Sequence, residues 1–139
     1  SGVPSRGQVA VLESPGLTRW LVDDDHPDGM LYALPHPRWV VCGGTDVSGS
    51  WDTEPDPEVH EAIVRRVRAA VPGLASARVL GARVGLRPVA PEVSLTASEL
   101  GGRRVVTNHG HGGAGVTLSW GCAEEVVRLV SGDVPISSR

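Results

Sequence analysis

Asn108-His109-Gly110-His111-Gly112-Gly113-Ala114-Gly115-Val116-Thr117 places four glycines and two histidines between a run of β formers and a helical pattern. Arg104–Thr107 before it is rich in β formers and reads as a strand. Val116 to Val130 after it carries apolar residues at helical spacing, with Ala123, Val126, Val127 and Val130 as the expected inner face and Gly132 as the stop. The segment is therefore a glycine loop, Gly110 to Gly115, opening a helix. Glycines let backbone come close to a ligand because no Cβ intervenes. Free N–H groups at a helix start carry partial positive charge and attract electron-rich groups. A tight strand-to-helix turn with no ligand is the competing reading.

Upstream, Gly81-Ala82-Arg83-Val84-Gly85-Leu86-Arg87-Pro88 sets two arginines four residues apart in a β context, Arg78 to Val89. Even spacing on a strand puts Arg83 and Arg87 on one face unless Gly85 introduces a bulge. A guanidinium fork pairs with a carboxylate through two hydrogen bonds, so a carboxylate-binding arginine is one reading and an internal ion pair the other. Val93–Leu95 is a further short strand. Earlier still, Gln8–Leu12, Leu17–Val22, Met30–Leu34 and Arg38–Cys42 read as strands, with an acidic loop from Asp23 to Gly29. Gly43 to Pro55 is a polar connection. Asp56-Pro57-Glu58 has the form of a helix start, and Val59, Ala62, Ile63, Val67, Ala70 and Val71 follow at helical spacing until Pro72-Gly73. Strands that follow one another without helical crossovers imply α+β architecture: a mixed, largely antiparallel sheet with two main helices.

The 139 residues, 40% hydrophobic and 21% charged, suit one soluble domain. A net charge of −3 and scattered basic residues argue against nucleic acid as partner. Arg65, Arg66 and Arg68 read as a solvated helix face. No apolar run is long enough to cross a membrane. Cys42 and Cys122 have no paired spacing, so free thiols and a reducing, cytoplasmic setting are expected, with no metal site. The acidic Asp46, Asp52, Glu54, Asp56 and Glu58 lack the glycine and spacing of a calcium loop. Trp20, Trp39, Trp51 and Trp120 are expected to fill core and interfaces. The first residue is Ser and the only methionine is Met30, so either an upstream part has been removed or Ser1-Gly2 is an added remnant.

Gly85-Leu86-Arg87-Pro88-Val89, followed by Asn108 to Thr117 and then Trp120-Gly121-Cys122-Ala123, resembles the D-amino-acid oxidase family, which includes D-aspartate oxidase. Arg6-Gly7-Gln8, Tyr32-Ala33-Leu34-Pro35 and Gly43-Gly44-Thr45 extend the resemblance over nearly the whole chain. It implies FAD as cofactor and oxidative deamination of D-amino acids to 2-oxo acids, ammonia and hydrogen peroxide. It implies that Arg87 grips the substrate carboxylate, that the Tyr32 hydroxyl assists, and that the Gly113 carbonyl accepts from the substrate amine. Gly112, Gly113, Gly115, Val116 and Thr117 are expected along the flavin, with Thr117 near its O2 edge. No residue is expected to act as acid or base, and Arg83 is read as structural. His109 and Ala114 depart from aromatic residues common in the family, and His36 stands beside the tyrosine segment.

The family begins with a strand, a Gly-x-Gly-x-x-Gly turn and a helix that bind ADP, and this sequence contains none of them. Residues 1–103 are thus expected to form the substrate-binding cap region. Residues 104–139 would supply a strand, glycine loop and helix that complete an FAD-binding domain. The N-terminal half, on the same or a separate chain, is the expected partner, and an apolar face left open without it favours association of copies. A catalytically inactive amino-acid- or carboxylate-binding module is the alternative. Neutral D-amino acids are the default substrates, because no second arginine for an acidic side chain is evident.

Overall fold

The structure is a computed structural model that describes residues 3–132. The elements run β1 (Val3–Glu13), β2 (Leu21–Asp23), β3 (Leu31–Pro35), β4 (Trp39–Gly43), β5 (Val47–Ser48), α1 (Pro57–Ala70), β6 (Val79–Leu100), β7 (Arg103–His111) and α2 (Gly115–Ser131). One short 3-10 turn, Pro72–Leu74, follows α1, and another, Gly112–Ala114, precedes α2. The described residues form two compact units: residues 6–86, and residues 3–5 with 87–132.

In the larger unit the strand order is β2-β3-β4-β1-β6, with β5 beside β1. β2 pairs β3, β3 pairs β4 and β4 pairs β1, all antiparallel. The register sets Ala10 opposite Cys42, Leu12 opposite Val40 and Ala33 opposite Cys42. Directly opposed residues share a face, and this face packs on α1. Ala10, Leu12, Leu31, Ala33, Val40, Cys42, Ile63, Val64, Val67 and Leu74 form the core. Each large side chain removed from water there contributes about 1.5–3 kcal/mol. The expected α1 stripe is rotated slightly: Val64 is buried and Ala70 is exposed. The second expected strand, Leu17–Val22, is replaced by Leu21–Asp23, because Leu17 packs onto the core from a loop instead.

The α1 start follows its sequence. Asp56 caps the helix, accepting from the N–H groups of Glu58 at 2.9 Å and Val59 at 3.2 Å, and Pro57 occupies the first turn. Asp56→Ala is expected to cost about 1 kcal/mol in urea unfolding, the usual worth of such a cap. Arg66 and Arg68 are not a solvated face. Arg66 donates to the carbonyls of Asp28, Met30 and Gly44, and Arg68 to that of Ala77, so α1 fastens three loops through backbone oxygens that sequence patterns do not display.

Beneath the start of α1, Gln8 is fully buried. Its amide nitrogen donates to the Asp56 carbonyl at 2.7 Å, and its oxygen accepts from the Asp56 N–H at 2.9 Å and from Arg6 at 3.0 Å. Arg6, also buried, donates further to the carbonyls of Asp52 and Glu54. The polar connection after β4 is thus held by two side chains of β1.

In the smaller unit, β7 pairs antiparallel with the second part of β6, from Val89 opposite His111 to Leu100 opposite Arg103. The register shifts between Val89 and Ser94, so β6 bulges at Ala90–Val93. Strand β6 runs unbroken from Val79 through Gly81 and Gly85, where sequence suggested separate pieces. Helix α2 ends on Gly132 in the left-handed conformation, φ 84°. Arg104 of β7 donates to the Leu129 carbonyl at 2.6 Å, satisfying one of the free carbonyls of the last turn.

The face of α2 differs from expectation. Leu129 is buried and Cys122 and Val126 are half-buried, whereas Ala123, Val127 and Val130 point to solvent. Val116 (89%), Trp120 (88%), Val127 (63%) and Val130 (63%) are largely exposed. With Ala123 they form one apolar stripe at positions i, i+4, i+7, i+11 and i+14. The tryptophans are not core: Trp20, Trp51 and Trp120 are strongly exposed, and Trp39 neighbours the His36 ring and the Arg38 guanidinium. No described helix is long and apolar enough to cross a membrane.

Candidate functional site

The glycine segment divides into two roles. Strand β7 extends through Gly110 to His111, beyond the expected start of the loop. Gly110 has φ +89°, and a Cβ there would lie 2.7 Å from the Ala90 Cβ and 3.3 Å from the Glu92 carbonyl. The β6 bulge leans over this residue, so packing alone requires glycine. The ligand-facing candidates begin after it. Gly112, φ +54°, opens the 3-10 turn, and a Cβ on it would sit 3.5 Å from Val89 Cγ2.

A Cβ on the next residue, Gly113, would lie 4.0 Å from Arg87 Cδ. The arginine segment and the glycine turn are therefore neighbours within one compact unit. Arg87 is half-buried, and Gly113 is exposed. Arg83 belongs to the other unit, exposed on a cavity of about 480 Å3 lined by Val9, Val11, Trp39 and Val41.

The start of α2 carries no side-chain cap. Gly115, Val116 and Thr117 are exposed at the positive end of the helix dipole. An electron-rich ring edge or an anion fits this end of the helix, and a cation does not. The residues present thus suit the flavin edge that the sequence implies.

Tyr32 lies in the larger unit. It is half-buried on β3, opposite Gly43, and its ring covers Gly43 and Gly44. A Cβ on Gly43 would run into the Tyr32 ring, which is why β4 ends in glycine. Gly43→Ala is expected to displace the tyrosine, read as a shift in its absorbance and a destabilisation of about 1–3 kcal/mol from overpacking. The His36 ring stacks toward Trp39, with centroids 5.6 Å apart, at the far end of the β3–β4 hairpin from Tyr32.

Sequence reasoning missed one contact. His111 Nε2 lies 3.3 Å from Cys122 Sγ, both part-buried, tying the end of β7 to α2. The spacing of eleven residues across a turn into a helix gives no periodic signal for it.

The family model for FAD-dependent oxidoreductases called DAO matches residues 2–129. The chain belongs to the DAO family of FAD-dependent oxidoreductases. Among DAO-type proteins it is 53% identical over 127 residues to a D-amino-acid oxidase of Rubrobacter xylanophilus, covering 91% of this chain and 39% of the relative. It is also 53% identical over 130 residues to a D-amino-acid oxidase of Streptomyces coelicolor, covering 92% and 41%. The chain thus spans about two fifths of the length of these relatives. A glycine oxidase structure from Bacillus cereus superposes with a TM-score of 0.79 over 96% of this chain and 37% of its own, at 22% identity, and shows the shared fold.

Proposed function

We propose that this DAO chain is the C-terminal part of an FAD-dependent oxidase that converts D-amino acids to 2-oxo acids, with ammonia and hydrogen peroxide as the other products. The adjacency of Arg87 to the Gly112–Gly115 turn carries the reading. FAD, when bound, supplies the two-electron acceptor for oxidation at the substrate Cα. Gly112, Gly113, Gly115, Val116 and Thr117 are the residues assigned to hold its ring, with the uncapped α2 terminus facing the electron-rich edge.

Arg87 takes the substrate carboxylate through its guanidinium fork, and the Gly113 carbonyl accepts from the substrate amine. The resemblance assigns the Tyr32 hydroxyl to the carboxylate as well. Fixing the acid group and the amine orients the Cα–H bond, and positioning is the main contribution these residues make. No side chain is assigned as acid or base. Residues 1–103 are the cap region in this reading, and residues 104–139 complete the FAD domain.

The open apolar stripe of α2 supports a missing partner surface, which we assign to the N-terminal dinucleotide-binding half. The double substitution Trp120→Ser and Val127→Ser is therefore expected to reduce self-association of the isolated chain in sedimentation. The same change in a chain joined to the N-terminal half is expected to weaken flavin retention. Unchanged association and retention would contradict this assignment of the stripe.

The function is tested by joining the chain to an upstream dinucleotide-binding half and following flavin absorbance and peroxide with D-alanine. Bleaching of the flavin and peroxide release are expected. D-alanine binding without flavin reduction would favour an inactive amino-acid-binding module instead.

A further inference from the structure

The described residues hold two free thiols in unlike surroundings. Cys42 is fully enclosed in the core of the larger unit, and its Sγ reaches only the Val40 carbonyl at 3.9 Å. Burial pushes its thiol up to about 12. Cys122 is half-buried on α2, with its Sγ 3.3 Å from His111 Nε2. In the tautomer that leaves Nε2 unprotonated, the ring accepts a hydrogen bond from the thiol, and the thiolate is the form that reacts.

We propose that Cys122 is a site of covalent thiol modification, with His111 as its base and small electrophiles of the peroxide class as its reagents. The Sγ proton passes to His111 Nε2. A sulfur lone pair attacks one oxygen of hydrogen peroxide, forming the S–O bond as the O–O bond breaks. The departing hydroxide takes the proton back from the imidazolium and leaves as water. Sulfur is oxidised by two electrons to a sulfenic acid, and the peroxide is reduced. His111 directly precedes the Gly112–Ala114 turn, so this chemistry occurs one residue from the candidate cofactor segment. The proposal does not rest on the oxidase reading, because peroxide is supplied from outside in its test.

The test treats the full chain with hydrogen peroxide in the presence of dimedone, and separately with iodoacetamide, and reads both cysteines by peptide mass spectrometry. Cys122 is expected to label about tenfold faster than Cys42 in the native chain, and faster than Cys122 itself in urea, where the imidazole is lost. His111→Asn is expected to slow Cys122 by about tenfold and leave Cys42 unchanged, with circular dichroism reporting the fold. Cys122 reacting no faster native than unfolded overturns the proposal without recourse to a variant. An undiminished Cys122 rate in folded His111→Asn overturns it as well.

Discussion

Arg87→Ala, in the chain joined to an upstream dinucleotide-binding half, is expected to raise the KM for D-alanine by about two orders of magnitude, the effect of losing about 3 kcal/mol of charge-assisted hydrogen bonding. Arg87 is half-buried beside Gly113, and in the proposed reading its fork takes the substrate carboxylate there. Arg87→Lys is expected to recover only part of this loss. An ammonium keeps the charge but not the planar two-bond geometry. Arg83→Ala is the control, since Arg83 lies exposed in the other unit, and no change in KM is expected. Flavin retention is expected to persist in all three variants, because the cofactor assignment rests on the glycine turn and α2. Steady-state peroxide release over a range of D-alanine concentrations checks the series.

Gln8→Leu is expected to destabilise the chain by about 3 kcal/mol, although it places a more apolar side chain in a fully buried position. The substitution removes an acceptor for Arg6 and both partners of the Asp56 backbone. Those groups are left without bonds in a region that water reaches poorly, and leaving a buried polar group unpaired costs far more than a typical hydrogen bond contributes. Because Asp56 also caps α1, the loss is expected to spread into the first turn of that helix. Urea unfolding followed by circular dichroism provides the measurement. A neutral or stabilising effect would show that the Gln8 network is dispensable.

Local chemistry was legible in the sequence wherever one residue decides the backbone. Asp56-Pro57 and Gly132 mark helix ends in the structure as they do in the sequence. Alternation in Gln8–Leu12 and β formers in Arg38–Cys42 mark strands whose buried faces meet in register. What escaped depends on distant partners. Gly110 looked like part of a ligand loop, but the β6 bulge at Ala90 explains it, and a bulge has no signature in composition. The α2 stripe was assigned inward because apolar residues at helical spacing ordinarily face a core. Here the residues that turn inward are Cys122, Val126 and Leu129. Arg66 and Arg68 were read as solvated, since bonds to backbone carbonyls leave no trace in side-chain patterns. The neighbourhood of Arg87 and the glycine turn came through because both motifs keep order and separation along the chain.

A titration of flavin absorbance with benzoate, a carboxylate that cannot be oxidised, is the sharpest test of the proposal that Arg87 and the neighbouring glycine turn serve one site. In the chain joined to an upstream dinucleotide-binding half, benzoate is expected to perturb the flavin spectrum in saturable fashion in the parent protein and in Arg83→Ala. In Arg87→Ala with flavin still bound, the same perturbation is expected to require about a hundredfold more benzoate. An unchanged benzoate affinity in flavin-loaded Arg87→Ala would contradict the assignment.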